Sequence, residues 1–261
     1  MHNRLVPALA SAALIAAAAA LPAPTAAADL DCTPSIAQSS VHFTPKKSVL
    51  TSKGSTDITV TATLTAPCAE SNATDLSTSI FVTPVDFEHE RDWDVSSNVM
   101  PAGNHTFTLF TVLHLKAAGI DNADAGSWDG IVGVQDTDDP GEYGLPTNSD
   151  PVSFSIRRAA KVTANASPEP VKKGKTVTVR GQLTRANWES GKDRTYGQQL
   201  VQLQFRTKSG SYHTVKTTHS TKTGALKVAV KAAKDGYYRF VFAGKSTTAG
   251  AKSSGDYVNV T

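Results

Sequence analysis

The feature that most constrains this chain is an alternation of apolar and polar residues at every second position. In the run from Ile58 to Leu64, aliphatic residues alternate with threonines. A period of two places one face of a strand in a core and the other in water. Similar runs recur in both halves, separated by glycines, and no segment after residue 28 keeps a helical period. About seven short strands per roughly 100 residues, twice over, predict an all-β protein with two tandem β-sandwiches.

The first 28 residues have the three-part pattern of a Sec signal peptide. Arg4 supplies a positive charge, Val6 to Leu21 is apolar and mostly Ala and Leu, and Ala26 to Ala28 is a small-residue run. We therefore place cleavage before Asp29. The apolar run has 16 residues, fewer than the roughly 20 that a membrane-spanning helix needs. The pattern predicts a secreted, extracellular protein without a transmembrane anchor.

Charge divides the rest of the chain into two unlike parts. Residues 29–156 carry 18 Asp and Glu against 5 Lys and Arg, whereas residues 157–261 carry 20 Lys and Arg against 5 Asp and Glu. The crossing falls at Arg157 and Arg158, directly after a strand-like run. We predict an acidic sandwich over residues 29–156 and a basic sandwich over residues 157–261, each of common domain size. The opposite charges also favour head-to-tail self-association that weakens as salt screens it.

The chain has two cysteines, Cys32 and Cys68, and both lie within 40 residues of the predicted cleavage site. In an exported protein such a pair normally forms a disulfide. The bond would close a loop of 37 residues, for which the loop-entropy model gives about 4 kcal/mol. The close C-x-x-C spacing of redox pairs is absent, so the predicted role is structural.

A set of motifs distinguishes the second half. They are Gly181-Gln182-Leu183-Thr184, Trp188, Tyr196-Gly197, Val201 to Arg206, Gly224, Asp235 to Arg239, Phe242-Ala243-Gly244 and Asp256-Tyr257-Val258. With these motifs, residues 159–261 resemble the immunoglobulin-like modules of secreted actinobacterial (Streptomyces-type) proteins. The first half resembles the same modules more loosely, through Gly126-Ser127-Trp128 and Ser153 to Arg158. The resemblance implies immunoglobulin-like sandwiches and brings no catalytic residues with it.

The sequence lacks the motifs of common catalytic sites. There is no G-x-S-x-G, H-E-x-x-H or C-x-x-C, and Gly174-Lys175-Thr176 lacks the earlier glycine of a phosphate-binding loop. A Ser-His-Asp set could still assemble in space, because such sets are defined by geometry. We predict that the protein is not an enzyme. A secreted hydrolase or inhibitor with an unrecognised site stays as an alternative.

Two acidic clusters are candidate cation sites. In the first, five carboxylates recur at every second residue from Asp86 to Asp94, a pattern that fits a solvated strand face or a surface for Ca²⁺ or polycations. The second cluster comprises Asp121, Asp124, Asp129, Asp136, Asp138 and Asp139. These six are the candidate Ca²⁺ ligands, because hard cations prefer clustered oxygens. No other cofactor is expected.

Basic residues of the second half are the candidate contacts for a polyanion. They are Lys172, Lys173, Lys175, Arg180 and Lys208. The net charge of +15 over residues 157–261 is large enough to steer polyanions, although scattered lysines also serve solubility. An exported protein meets anionic wall polymers and acidic lipid surfaces. Export, and the lack of a helix that could read a groove, disfavour nucleic acid as a partner.

Together these patterns predict a secreted, non-catalytic binding or structural protein of the cell exterior. The expected partners are anionic envelope polymers or other secreted proteins. The first alternative is a calcium-stabilised adhesion module or a carbohydrate-binding module, whose stacking platforms would be Trp93, Trp128, Trp188 and Tyr196. Aromatic residues of a sandwich also fill its core, so both roles stay open for these four side chains.

Overall fold

A computed structural model of the protein describes residues 34–67, 76–85, 91–92, 98–136 and 147–261. The predicted signal peptide and both cysteines lie outside these residues, so export and the Cys32–Cys68 disulfide stay predictions. The acidic run from Asp86 to Asp94 also lies outside them, apart from Arg91–Asp92. The described residues include two short 3-10 helices, Gln38–Ser40 and Ala117–Gly119, and the rest of their regular structure is strand.

The described residues up to Arg158 form two sheets. Their strands are β1 (Ser35–Ile36), β2 (His42–Thr44), β3 (Lys47–Leu50), β4 (Ser55–Thr65), β5 (Leu76–Pro84), β6 (Arg91–Asp92), β7 (Asn98–Gly103), β8 (Thr106–Lys116), β9 (Gly126–Asp136), β10 (Thr147–Asn148) and β11 (Val152–Arg158). One sheet has the order β1-β4-β8-β7, with β2 also on β4. The other has the order β3-β11-β9-β5-β6, with β10 on β9. The alternation that predicted β4 is confirmed, since Ile58, Val60, Ala62 and Leu64 are buried.

The remaining residues form a second pair of sheets. Their strands are β12 (Ala160–Val162), β13 (Asn165–Ser167), β14 (Thr176–Asn187), β15 (Lys192–Thr195), β16 (Leu200–Arg206), β17 (His213–His219), β18 (Ala225–Lys231), β19 (Gly236–Phe242), β20 (Ala251–Lys252) and β21 (Asp256–Val258). In one sheet β14 is central and pairs with β12, β13, β15 and β18. The other sheet has the order β17-β16-β19, and β19 pairs on its far side with β20 and β21.

The strand order of both sandwiches is immunoglobulin-like. In that fold, strands A, B, E and D form one sheet, and C, F and G form the other. In the first sandwich β4, β8 and β7 take the places of B, E and D, while β5, β9 and β11 take those of C, F and G. In the second, β14 and β18 correspond to B and E, and β16, β19 and β20–β21 to C, F and G. The predicted all-β, immunoglobulin-like fold is therefore confirmed, whereas the actinobacterial origin stays a prediction.

An aromatic corner fixes the turn that precedes β9. The indole Nε1 of Trp128 donates to the backbone oxygen of Asp124 at 2.8 Å, and the backbone N of Asp121 donates to the Asp124 carboxylate at 2.6 Å. Antibody domains place a tyrosine here, two residues before a core cysteine. In this chain Gly130 stands at the cysteine position. The ring of Phe43 fills the space that a cysteine side chain at position 130 would need.

The buried hydrophobic residues form two clusters, and the second half contributes to both. Most of the buried hydrophobic residues from Val162 onward form one cluster. Ala186 and Trp188, however, pack in the cluster of the first sandwich, where Trp188 is 3% exposed. They lie at the end of β14 and in the turn that follows it. The described residues form one compact unit, and the division into domains at residue 156 stays a prediction.

Hydrogen bonds to backbone oxygens tie the two sandwiches together around Arg158. The oxygen of Leu50 accepts from the backbone N of Ala159 at 2.8 Å and from Trp188 Nε1 at 3.4 Å. The Arg158 Nε donates to the oxygen of Ala186 at 2.6 Å. Burial of this guanidinium, followed by its proximity to Arg185, lowers the pKa of Arg158 to about 10. The double arginine marks a packed junction rather than an exposed linker.

Candidate binding surface of the second sandwich

One end of the second sandwich collects most of the candidate polyanion contacts. Three turns lie there: residues 172–175 before β14, residues 207–212 between β16 and β17, and residues 232–235 between β18 and β19. These turns and the adjoining end of β18 carry a group of exposed lysines, which we call the basic pole. Its members are Lys172, Lys173, Lys175, Lys208, Lys231 and Lys234.

Strand register explains why the turns of the basic pole meet. Thr176 at the start of β14 pairs with Lys231 at the end of β18. The backbone N of Gly174 donates to the oxygen of Ala232 at 2.7 Å, and the N of Ala232 donates to the oxygen of Lys175 at 2.8 Å. Gly174 has a φ of +80°, a left-handed conformation that glycine adopts without a steric cost. The first turn is thereby fixed against the third.

The charge of the basic pole is not neutralised by a contacting carboxylate. No lysine of the pole forms an ion pair with any Asp or Glu in the described part of the chain, whereas Lys161 pairs with Asp193 at 2.7 Å. The carboxylate within these turns, Asp235, accepts from the backbone N of Val260 at 2.7 Å. With six lysines against Asp235, these turns carry a net positive charge, which attracts anions within about a Debye length of 8–10 Å.

Arg180 lies away from the basic pole. It sits within β14, opposite Lys227 of β18 and Asn165 of β13. It is four residues from Thr176, or about 13 Å along an extended strand. The structure therefore brings Lys172, Lys173, Lys175 and Lys208 to one end and leaves Arg180 on a sheet face. Lys231 and Lys234, which complete the pole, are not in the sequence-based set because only the strand register brings them there.

A cavity of about 500 Å³ opens beside the basic pole. It lies between β17 and β18, the facing edges of the two sheets, where no strand D closes the sandwich. Its lining combines apolar and basic side chains: Phe205, Thr207, His213, Val215, Val230, Lys231, Ala233, Lys234 and Tyr238. This volume falls in the range of about 300–1,000 Å³ that small-molecule sites occupy.

The outer face of the β17-β16-β19 sheet carries a ladder of tyrosines and arginines. The rings of Tyr257 and Tyr237 lie 5.1 Å apart. The Arg206 guanidinium lies 4.3 Å from the Tyr237 ring centre and 5.1 Å from that of Tyr212. The Arg239 guanidinium lies 3.7 Å from the Tyr212 ring centre. Such cation–π contacts contribute about 0.5–1 kcal/mol each at exposed sites. We call these five side chains the Tyr/Arg ladder.

Hydrogen bonds hold the guanidinium groups of the Tyr/Arg ladder in place. Arg239 donates from Nε and Nη2 to the Gln204 Oε1 at 2.9 and 2.8 Å. Arg206 Nη1 donates to the backbone oxygen of Lys208 at 2.7 Å, so the ladder adjoins the basic pole. Fixed aromatic and arginine side chains lose little entropy on binding and are enriched in the cores of protein interfaces.

The candidate Ca²⁺ ligands fall in different surroundings. Asp121 and Asp124 lie in the turn before β9, where the Asp124 carboxylate accepts from the Asp121 backbone. Asp129 lies on β9 and accepts from the Ser153 hydroxyl at 2.7 Å. Asp136 ends β9, while Asp138 and Asp139 lie outside the described residues. Within the described ranges, no three His, Cys, Asp or Glu side chains group as a metal site. Calcium binding stays a prediction.

Three of the four candidate stacking aromatics are in the protein interior. Trp128, Trp188 and Tyr196 are at most 8% exposed, and Tyr196 packs edge-on against Phe242 at 5.6 Å. Their ring faces cannot stack on a saccharide, so the core interpretation holds for these three. Trp93 lies outside the described residues.

A histidine–carboxylate pair on the first sandwich is solvated. His114 Nδ1 and Asp57 Oδ1 are 2.8 Å apart, and the two side chains are 68% and 64% exposed. A pair that faces water lacks the low-dielectric surroundings in which catalytic groups act. The absence of enzyme activity stays a prediction.

No protein-family model matches this chain, and no curated protein matches it. Among solved structures, the chain is similar to the mouse nectin-like molecule 4 ectodomain (Ig1–Ig3), at 11% identity and a TM-score of 0.30 over 84% of this chain and 63% of that one. It is similar to a marsupial T cell receptor at 12% identity and a TM-score of 0.36, over 77% and 68%. It is similar to the D0-D1 domain of intimin at 14% identity and a TM-score of 0.28, over 84% of this chain and 98% of that one. The fold assignment rests on the strand order described above.

In the part of the chain that the structure describes, no helix has the length and apolar character needed to cross a bilayer.

Proposed function

We propose that this chain is an exported, non-catalytic binding protein that attaches to anionic polymers of the cell exterior through the basic pole. The observation that supports the proposal is the convergence of lysines from separate segments at one end of the second sandwich. Lys172 and Lys208 are 36 positions apart in the sequence, yet their turns lie at the same end. Export is supported by the signal-peptide pattern of residues 1–28.

The expected affinity follows from the exposure of these lysines. An exposed ion pair contributes about 0.2–1 kcal/mol, so contacts to all members of the pole would total on the order of 1–6 kcal/mol. A small anion would therefore bind weakly. A polymer that presents many charges would bind well, because the second and later contacts form at high effective concentration.

The test is co-sedimentation of residues 29–261 with isolated bacterial cell walls and with immobilised polyphosphate. Both should retain the protein at low salt and release it at about 1 M NaCl, where the Debye length is about 3 Å. Lys172→Ala, Lys173→Ala and Lys175→Ala together should weaken retention at least about tenfold, or 1.4 kcal/mol.

A matched control separates the basic pole from total charge. Lys222→Ala, Lys245→Ala and Lys252→Ala remove the same charge from exposed lysines in turns and a short strand away from the pole. This control should keep at least half of the wild-type affinity. Equal loss in both triple variants would show that net charge alone governs binding, and retention that survives high salt would rule out an electrostatic attachment.

The Tyr/Arg ladder supports a second candidate function, binding of a secreted protein partner. Its side chains are held in place before a partner arrives, and Tyr and Arg dominate the energetic centres of protein interfaces. Arg239→Ala should then abolish the pull-down of a secreted protein from culture medium while wall sedimentation is unchanged. A pull-down that Arg239→Ala leaves intact would refute this second role.

A further inference from the structure

The cavity beside the basic pole has an apolar interior. The rings of Phe205 and Tyr238 lie 4.8 Å apart, and His213 meets Phe205 edge-on at 6.0 Å. Val215 and Val230 come from the two facing edge strands and complete the walls. Val215 is 41% exposed, although valine on a strand is normally half-buried or better. The apolar surface is therefore open to a ligand.

The polar groups of this cavity are suited to an anion. Lys231 and Lys234 line it and are exposed, and no carboxylate is among its lining residues. Tyr238 is 4% exposed, and burial raises the pKa of its hydroxyl. A tyrosine hydroxyl, whose ordinary pKa is about 10, is protonated at neutral pH and can donate a hydrogen bond.

We propose that this cavity binds a single-chain amphiphile with an anionic head. The chain lies against Phe205, Val215 and Val230, and the carboxylate or phosphate head lies on Lys231 and Lys234. This site is additional to the polymer attachment, which needs charge but no apolar pocket. The buried methylenes of the chain and the ion pairs of the head each contribute to binding, so we expect tight binding only from a ligand that has both parts.

Charge complementarity selects this occupant over other apolar ligands. A cationic amphiphile would bring its head against two unpaired lysines, and a like charge at close range costs free energy instead of contributing it. A short anion such as acetate would reach the lysines but leave the apolar walls in contact with water. The fatty acid laurate and dodecyl phosphate both meet the two requirements.

The test is calorimetric titration of residues 29–261 with laurate and dodecyl phosphate below their micelle concentrations. Each should bind with one ligand per chain, whereas acetate and dodecyltrimethylammonium should give no saturable signal. Equal binding of the cationic and anionic amphiphiles, or no binding of either anion, would overturn the proposal.

Two pairs of variants locate the site. Val215→Asp places a carboxylate in the cavity, and Thr217→Asp places the same charge on the outer face, where Thr217 pairs with Gln202. Val215→Asp should weaken laurate binding at least about tenfold, or 1.4 kcal/mol, and Thr217→Asp less than about threefold, or 0.65 kcal/mol. The double variant Lys231→Ala with Lys234→Ala should also weaken laurate binding at least about tenfold. The control is the double variant Lys222→Ala with Lys252→Ala, which should weaken laurate binding less than about threefold.

The outcomes separate this inference from the proposed function. Laurate binding that Val215→Asp and the double lysine variant leave unchanged would place the ligand elsewhere and refute the inference. Absence of laurate binding together with salt-sensitive wall sedimentation would refute the amphiphile site alone. Laurate binding without wall sedimentation would refute polymer attachment alone.

Discussion

Replacing Trp188 with alanine tests the finding that the second half of the chain completes the core of the first. Trp188 follows β14, yet its ring packs in the cluster of the first sandwich and is 3% exposed. Its Nε1 donates to the Leu50 oxygen at 3.4 Å, a long hydrogen bond. Leu50 keeps a second donor in the backbone N of Ala159. The loss of stability in Trp188→Ala should therefore come mainly from the apolar area that the indole no longer buries.

The magnitude follows from the area of the indole. A buried aromatic side chain removes about 150–250 Å² from water, which at about 25 cal/mol per Å² corresponds to roughly 4–6 kcal/mol. This is an upper figure, because an unfolded chain already buries part of its apolar area. Measured Trp-to-Ala changes in cores are about 3–5 kcal/mol. We expect a loss of about 3–5 kcal/mol in the free energy of unfolding, against a usual total of 5–15 kcal/mol.

The assay is urea unfolding of residues 29–261, combined with amide hydrogen exchange read out by segment. Trp188→Ala should lower the unfolding midpoint and reduce protection in β4 and β8, although the substitution lies in the other half of the sequence. Lys192→Ala is the control, because this residue is close to Trp188 in the chain and its side chain is exposed, and it should change stability by less than about 0.5 kcal/mol.

Two results would refute the reasoning about Trp188. One is a loss of less than about 1 kcal/mol, which is too small for a buried indole. The other is a loss of protection confined to β16 and β19, which would mean that the ring stabilises its own half.

Two further predictions concern the cores. Gly130→Ala should destabilise the protein by about 1–3 kcal/mol in thermal or urea unfolding, because the added Cβ would overlap the Phe43 ring. Unchanged stability would contradict that packing. Gly119→Ala is the control, because there is open space beside Gly119 and its φ is not positive, and it should not lower stability. Burial raises the pKa of Tyr238, so the folded state retains the phenolic proton at a pH where the unfolded chain has lost it. The associated stability is present below the unfolded-state pKa of about 10 and is lost as pH rises through the folded-state pKa. Stability of the wild type should thus fall more steeply above that pH than stability of Tyr238→Phe, and parallel pH curves would exclude the mechanism.

The strands were accessible to sequence reasoning because alternation is a local property. In β4 the aliphatic positions are buried and the threonines partly exposed, as the period of two predicts. The immunoglobulin-like architecture of the second half was inferred from its resemblance to known modules, through motifs such as Asp235 to Arg239, which spans the turn into β19. In each case neighbouring residues carry the whole signal.

The partner of each buried side chain was not accessible in this way. Trp188 lies within the motifs of the second half, but its ring packs against the first. A pattern shows that a residue is apolar and shows nothing about which surface covers it. Trp128 and Tyr196 likewise could be core or stacking residues until their burial was known.

The residues of the candidate site also fall into those that the sequence predicted and those that only the structure identified. Lys172, Lys173, Lys175 and Lys208 were candidates because the second half is strongly basic. Strand register brings these lysines together with Lys231 and Lys234 and leaves Arg180 apart from them. The arrangement of the sheets also opens the cavity between β17 and β18. The Tyr/Arg ladder also needs register, since Arg206 meets Tyr237 only because β16 pairs with β19.

The sequence by itself determined the strand class and the contrast in charge between the halves. These properties follow from side-chain chemistry and from the alternation that an extended backbone imposes on adjacent residues. Tertiary structure alone decided which turns share an end, where the cavity opens and which core receives Trp188. Such contacts join segments far apart in the chain, and their geometry is set by how whole sheets pair and pack.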